Sequence, residues 1–352
     1  MWAGFAAYLG VLAWAPRLGR RFVWGAIVVL VTGFAVAPVL LSHDVYSYVD
    51  YARLGVRHGL DPYVHPPLAV PSDPAYAHVT WTEATSAYGP LFTLATYPLV
   101  WLPVGAAVAV LKAVAALSVL GIAALTARLA AWRGADPLRA AAFVALNPLV
   151  LVHVVGGAHN DGLTTLLATA AVAAILSARE LAGGTALLAA LATKLSAAFL
   201  VPFALLGTAR KGRLAAGVLV VALAIGAAAW FAFGWDWLHG FGLAGENQDR
   251  TSHMSVPITF ARLTGVDADG VRLAAALLYA AFVAYLLAWT WRGGDWVRAA
   301  AWAGLGLLLA TSWLLPWYLL WPLPLAAISR DRPLQLLVLA LTAYQLGARI
   351  PL

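Results

Sequence analysis

Apolar runs of membrane-span length alternate with short polar breaks along the whole chain. The first run, about 2 to 15, ends at Arg17, Arg20 and Arg21, and the second, about 22 to 41, ends at "SHDVYSY". Further runs at about 104 to 127, 138 to 155, 162 to 178, 214 to 233, 271 to 291, 297 to 315 and 334 to 350 predict helices that cross a bilayer core. Three stretches do not fit as plain crossings. Residues 90 to 102 predict a helix lying along the membrane interface and ending near Pro103, residues 182 to 207 two short helices meeting near Lys194, and residues 317 to 328 a short crossing broken by Pro322 and Pro324. Short and broken helices line cavities more often than they face lipid.

Charge gives these runs a direction. Lys and Arg gather at cytoplasmic ends, so the clusters at Arg17, Arg20 and Arg21, at Arg128, Arg133 and Arg139, at Arg210, Lys211 and Arg213, at Arg292 and Arg298, and at Arg330 and Arg332 are assigned there. This puts the N-terminus outside; the positive charge follows the first apolar run rather than preceding it, unlike a signal peptide. Most of the acids fall on the other side. The formal charge of +7 therefore reads as topology rather than nucleic-acid binding.

Composition supports the same picture: 63% of the residues are hydrophobic, 11% are charged, and mean hydropathy is +0.84. We expect an all-α polytopic membrane protein forming one integral domain over residues 1 to 352. The expected extracytoplasmic loops span 42 to 103, with surface helices, and 234 to 270. With no cysteine, disulfide and thiolate chemistry are absent.

The polar chemistry sits at the outer ends of the runs. Asp44 opens the first loop, where Asp50, Arg53 and Arg57 recur with helical spacing and predict an amphipathic surface helix with a solvated polar face. "GLDPY" predicts a turn. "GGAHNDG" places His159, Asn160 and Asp161 at a helix end, and "GENQDRTSHMSVP" carries Glu246, Asn247, Gln248, Asp249, Arg250 and His253. With Lys194 near a helix tip, carboxylates and cations converge on one side. A reaction on a lipid-linked anionic substrate needs that combination: a base for an incoming hydroxyl and cations for a phosphate leaving group.

"HDVYSYVDYARL", "GLDPY", "SAYGPLF", "ALNPLVLVHVVGGAHNDGL", "ATKLSAAFLVPF" and "PWYLLWPLPL", in that order, resemble the bacterial polyprenol-phosphate-mannose-dependent mannosyltransferases that elongate α-(1→6) mannan on lipid anchors. These belong to the membrane-embedded GT-C superfamily. The resemblance covers about residues 22 to 328, with "YVDYARL" standing where the family's "YAAQGRL" is expected. It implies a bundle of about 10 to 12 transmembrane helices with extracytoplasmic juxtamembrane helices, and Asp44 as general base of an inverting transfer. The donor implied is polyprenol-phosphate-mannose, and the acceptor a lipid-anchored glycan. An inverting transfer from a sugar phosphate needs one base, and positive charge rather than an acid on the leaving group. In this scheme Lys194 and Arg250 hold the donor phosphate, with His253 and Arg262 behind them; Tyr46, Tyr88 and His159 position sugars, with Asn160 and Asp161 beside them. The polyprenyl tail lies in a groove among the short helices. No metal or cofactor is required.

Plainer readings stand beside these. Asp44 and Asp161 each also fit a helix N-terminus, the Trp and Tyr residues an interfacial aromatic belt, and Arg250 a solvated loop. Lys112 is expected to snorkel outward. "DAD" at 267 to 269 reads as a helix cap rather than a metal motif, and HExxH, P-loop and Rossmann patterns are absent. The rival classes are a transporter with midplane charges, and a related transferase of other sugar or linkage.

Overall fold

The computed structural model describes residues 1–246 and 249–348. Asn247 and Gln248, and the last two residues of the 334 to 350 run, lie outside them. The described residues are helical, with no strand, and the chain is an all-α polytopic membrane protein.

Four helices are long and apolar enough to cross a membrane unaided: α1 (Trp2–Val36), α4 (Val104–Trp132), α9 (Lys211–Phe233) and α12 (Ala268–Trp291). Between them lie α2 (Asp44–Arg57), α3 (Pro90–Thr96), α5 (Pro137–Ala145), α6 (Asp161–Leu176), α7 (Glu180–Thr193) and α8 (Val201–Gly207), with α10 (His239–Glu246) and α11 (Val256–Thr264) following α9. After α12 come α13 (Trp296–Ala310), α14 (Leu323–Ile328) and α15 (Arg332–Gly347). α1 contains both expected N-terminal runs, broken at Gly19 (φ 77°, ψ 161°) inside the basic cluster, and it ends five residues short of the expected 41, just before Pro38.

The three irregular stretches are short and broken, as expected. Residues 90–101 form α3 and a 3₁₀ turn, and Pro103 starts α4. α7 ends at Thr193, Lys194 is extended (φ −162°), and a 3₁₀ turn leads into α8. A 3₁₀ turn (Pro316–Leu320) precedes α14. The run 138 to 155, expected as one helix, is instead broken at Asn147–Pro148. Proline has no N–H to continue the ladder, and the Asn147 side chain accepts from Leu149 N (3.0 Å) in its place. A π-helical turn, Val150–Val155, follows.

Two expectations fail, for one physical reason: the helix pattern does not report what folds over it. α2 is no open surface helix. Residues 58–86 cover it, so Asp50 is 1% exposed. Arg53 donates to Asp73 Oδ1 (2.7 Å), and His58 Nε2 lies 2.8 Å from Asp73 Oδ2. Lys112 does not snorkel. It is buried, and its ammonium donates to the carbonyls of Ala37 (2.6 Å), Pro38 (3.2 Å) and Gly156 (3.0 Å). Asp267 does cap α12, accepting from Gly270 N at 2.6 Å.

The basic clusters interlock at one end of the bundle. There Arg133 pairs with Asp295 and donates to Ile328 O (2.9 Å), and Arg298 pairs with Asp331 (2.5 Å). Most of the expected site residues gather at the other end.

Candidate active site

Two backbone breaks bring the site together. Asp44 is the first residue of α2, directly after the loop that leaves α1; the helix has no side-chain cap, so its carboxylate is free to face inward. Asp44 Oδ1 accepts from Trp81 Nε1 (3.1 Å). His159 approaches from the opposite side. The wider spacing of the π turn carries on through Gly156 N to Leu151 O (2.9 Å) and His159 N to Val154 O (3.1 Å). Ala158 sits in the left-handed region (φ 55°). A residue with a Cβ adopts that conformation at a cost of about 1–3 kcal/mol, which tends to be tolerated at functional sites, as are π bulges.

The turn leaves His159 Nδ1 3.6 Å from Asp44 Oδ2 and stacks the imidazole on Trp317, with ring centroids 3.7 Å apart and planes 18° apart. His159 is buried, and neither ring nitrogen has a hydrogen-bond partner among the described residues. Burial first, then the Lys194 ammonium and His153, hold it well below the ordinary histidine range, so the imidazole is neutral. Burial raises the Asp44 carboxyl above its usual value, opposed by the Trp81 hydrogen bond and by Lys194. A raised carboxylate beside a neutral imidazole suits a general base.

The second half of the site is an ion pair in an aromatic box. Lys194 Nζ donates to Asp161 Oδ2 (2.8 Å), and Asn160 Oδ1 lies at 3.5 Å. Trp321 Nε1 donates to the other Asp161 oxygen (2.7 Å). The ammonium lies 5.5 Å from the Tyr318 ring and 6.0 Å from the Tyr88 ring, while Tyr318 stacks on Trp321 at 4.2 Å. Tyr88 is held there by Gly89, whose N donates to Thr193 O (3.0 Å), the residue before Lys194. A Cβ on Gly89 would lie 2.1 Å from Ala192 O, so only glycine permits this approach.

Arg250 reaches the site from the second loop. Its guanidinium lies 5.4 Å from the Trp81 ring and 6.0 Å from the Trp313 ring, so Trp81 offers its N–H to Asp44 and its face to a cation. Arg250 has no carboxylate partner among the described residues. The structure thus brings together Asp44, Tyr88, His159, Asn160, Asp161, Lys194 and Arg250. It does not bring in three others. Tyr46 stacks on His78 (4.8 Å), and His253 and Arg262 are exposed away from these contacts. Among the described residues no three His, Asp or Glu side chains converge as a metal-ligand set.

Sequence reasoning missed Trp81, Trp317, Tyr318 and Trp321, reading the aromatics as an interfacial belt. The available signal was Trp317 and Trp321 four residues apart in a proline-broken crossing, which places two indoles on one face of a segment expected to line a cavity.

Comparison with known proteins gives the family. Residues 1–210 match the family model described as alpha-(1->6)-mannopyranosyltransferase, N-terminal domain. The chain is 32% identical over 372 residues to alpha-(1->6)-mannopyranosyltransferase A of Mycobacterium tuberculosis, covering 93% of this chain and 70% of that protein. It is 33% identical over 192 residues to the protein of the same name from Corynebacterium glutamicum, covering 53% of this chain and 38% of that one. No solved structure matches. A polytopic helical bundle whose polar residues meet at one end, matched in this way over most of its length, is a membrane glycosyltransferase, and the chain belongs to the alpha-(1->6)-mannopyranosyltransferase family.

Proposed function

We propose that the chain transfers mannose from polyprenol-phosphate-mannose to a lipid-anchored mannan on the extracytoplasmic face, with inversion and formation of an α-(1→6) linkage. The observation that carries this is the division of labour between two carboxylates. Asp161 has a close donor on each oxygen, Lys194 and Trp321, whereas the Asp44 carboxyl accepts from Trp81 on Oδ1, has Ser42 close by, and has the neutral His159 imidazole 3.6 Å from Oδ2.

Asp44 takes the proton of the acceptor hydroxyl as its oxygen attacks the anomeric carbon. The bond from that carbon to the phosphate oxygen breaks, and the polyprenyl phosphate leaves with an added negative charge. Arg250, over the face of the Trp81 ring that donates to Asp44, and Lys194, whose charge acts on Asp44, supply the positive field that stabilises this charge. The Tyr88, Trp317 and Tyr318 rings offer apolar faces to the sugars, and His159 orients the Asp44 carboxylate. The scheme uses no metal.

The test is transfer of radiolabelled mannose from polyprenol-phosphate-mannose to a short α-(1→6) mannoside by purified protein and by Asp44→Asn. Transfer by the wild type, lost by at least about 1,000-fold in a folded Asp44→Asn, is expected. Equal activity in both moves the base elsewhere, and a folded wild type without transfer removes the mannosyl assignment.

A further inference from the structure

The basic end of the bundle holds a cavity of about 300 Å³ that the chemistry at the other end does not use. Arg139 of α5, Arg330 just before α15, and Arg332 at its start line it together with Asp136 and Gln335. Its lining also includes the apolar residues Ala135, Ala140, Phe143 and Ala327, beside polar surface of similar extent.

Topology alone explains basic residues at this end, but not how they are partnered. The neighbouring Arg133 and Arg298 are each matched to a carboxylate, Asp295 and Asp331. Among the described residues, none of the three cavity arginines has such a partner. The one acid in the lining, Asp136, has its Oδ1 committed to Arg139 N (2.7 Å) as the cap of α5. Arg330 is also one of the few non-glycine residues with a left-handed backbone (φ 57°), a conformation that costs free energy and directs its guanidinium across the Arg133 carbonyl (3.4 Å). Gln335 is held in place by its donation to Ala326 O (3.1 Å).

Three guanidiniums without a carboxylate partner, beside the Ala and Phe lining, suit an amphipathic anion: forked N–H donors for phosphate oxygens, and an apolar patch for what carries the phosphate. We infer that this cavity binds a phosphate-bearing anion at the end of the bundle opposite the transfer site. Its chemistry fits a phospholipid headgroup or a free phosphate ester.

The experiment measures thermal unfolding of the detergent-purified full chain against increasing concentrations of a short-chain phosphatidylglycerol, the matching phosphatidylcholine, glycerol 3-phosphate and inorganic phosphate. Three proteins are compared: the wild type, the cavity variant Arg139→Gln/Arg330→Gln/Arg332→Gln, and a charge-matched control, Arg210→Gln/Lys211→Gln/Arg213→Gln. Saturable stabilisation of wild type and control is expected, with the half-maximal concentration raised at least about tenfold in the cavity variant. Stabilisation by phosphatidylglycerol alone identifies a lipid headgroup; stabilisation by glycerol 3-phosphate or phosphate identifies a soluble ligand. Equal response of the cavity variant and the control, equal response to phosphatidylcholine, or no response in the wild type overturns the inference. Should the cavity variant fail to fold, Ala140→Leu, which narrows the cavity without changing charge, is expected to weaken the response in the same way, and an unchanged response overturns it.

Discussion

Replacing Lys112 by methionine tests how the site is held. The ammonium spends all three protons on backbone carbonyls. Those of Ala37 and Pro38 lie on the segment leading to Asp44, and that of Gly156 on the segment leading to His159. One buried cation of α4 thus ties together the two strands of backbone that present the Asp44–His159 pair. Methionine keeps the length of the stem and removes the donor. Gly156 O retains Leu40 N as partner (3.2 Å), so two carbonyls lose theirs. An unmade hydrogen bond at a buried carbonyl costs about 1–3 kcal/mol. The loss is offset in part because the variant no longer buries a charge, and because Pro38 lies at an exposed position. A net destabilisation of about 1–3 kcal/mol remains, a fall in melting temperature of about 2–5 °C. The effect on turnover is larger, since loosening a reacting geometry by about 1 Å costs on the order of 100-fold. Under the proposed scheme kcat should fall about 10- to 100-fold while KM for the donor, whose phosphate contacts lie elsewhere, changes less than about threefold. Wild-type melting together with wild-type kcat would show that Lys112 holds nothing the reaction needs.

Asp50 makes stability pH-dependent. Burial, then the neighbouring Asp73 carboxylate, push its carboxyl up to about 7, opposed by Arg53 and His58. Because the folded state keeps this proton and the unfolded chain releases it near 4, stability falls as pH rises from about 4 to 7 and levels off beyond. Asp50→Asn should therefore unfold at higher temperature than wild type at pH 8 and at the same temperature at pH 4; a gain independent of pH counts against the argument. Gly89→Ala forces a Cβ to within 2.1 Å of Ala192 O, and the backbone shift it requires should cost about 1–3 kcal/mol, visible as reduced melting temperature, whereas unchanged melting and activity would show that Tyr88 does not depend on this approach. Arg250→Ala, at an exposed residue, should leave melting unchanged and raise KM for the lipid-phosphate donor about tenfold or more through the loss of a charge-assisted contact; an unchanged KM removes Arg250 from the donor site.

The crossings were legible because two signals in the sequence constrain each other. The length of an apolar run says whether it can span, and the side on which Lys and Arg fall says whether it must. Residues 182 to 207 are long enough for one crossing, but Arg179 and Arg210 flank them with like charge, so the run had to turn; it turns at Lys194. The break at Asn147–Pro148 was written in the proline, yet the apolar run around it hid it. What the sequence did not show was the second layer. Asp50 and Arg53 have the spacing of a solvated face, and only the loop that folds back with Asp73 makes that face an interior. The tryptophans failed for a related reason. In a membrane protein, lipid and a buried polar site draw the same aromatic residues, so composition cannot separate them, whereas a hydrogen bond from Trp321 to Asp161 and a stack of Trp317 on His159 put these two beside the carboxylate and the imidazole.

The family resemblance implied Asp44 as the base, with Asp161 beside the sugar-positioning residues, although each also fits a helix N-terminus. The structure excludes the simplest account for both. Neither side chain caps its own helix among the described contacts, so both are turned toward the site, and their surroundings separate them. Asp161 is wholly buried and has a strong donor on each oxygen, an ammonium at 2.8 Å and an indole at 2.7 Å. A carboxylate so bound is a poor proton acceptor, because taking a proton would forfeit one of those bonds and strand a buried cation. Asp44 retains 14% side-chain exposure, one moderate hydrogen bond, and a neighbour that carries no charge. Two identical functional groups thus sit in different environments: Asp161 is bound to Lys194 and Trp321, and in the proposed scheme Asp44 is the one that takes the proton.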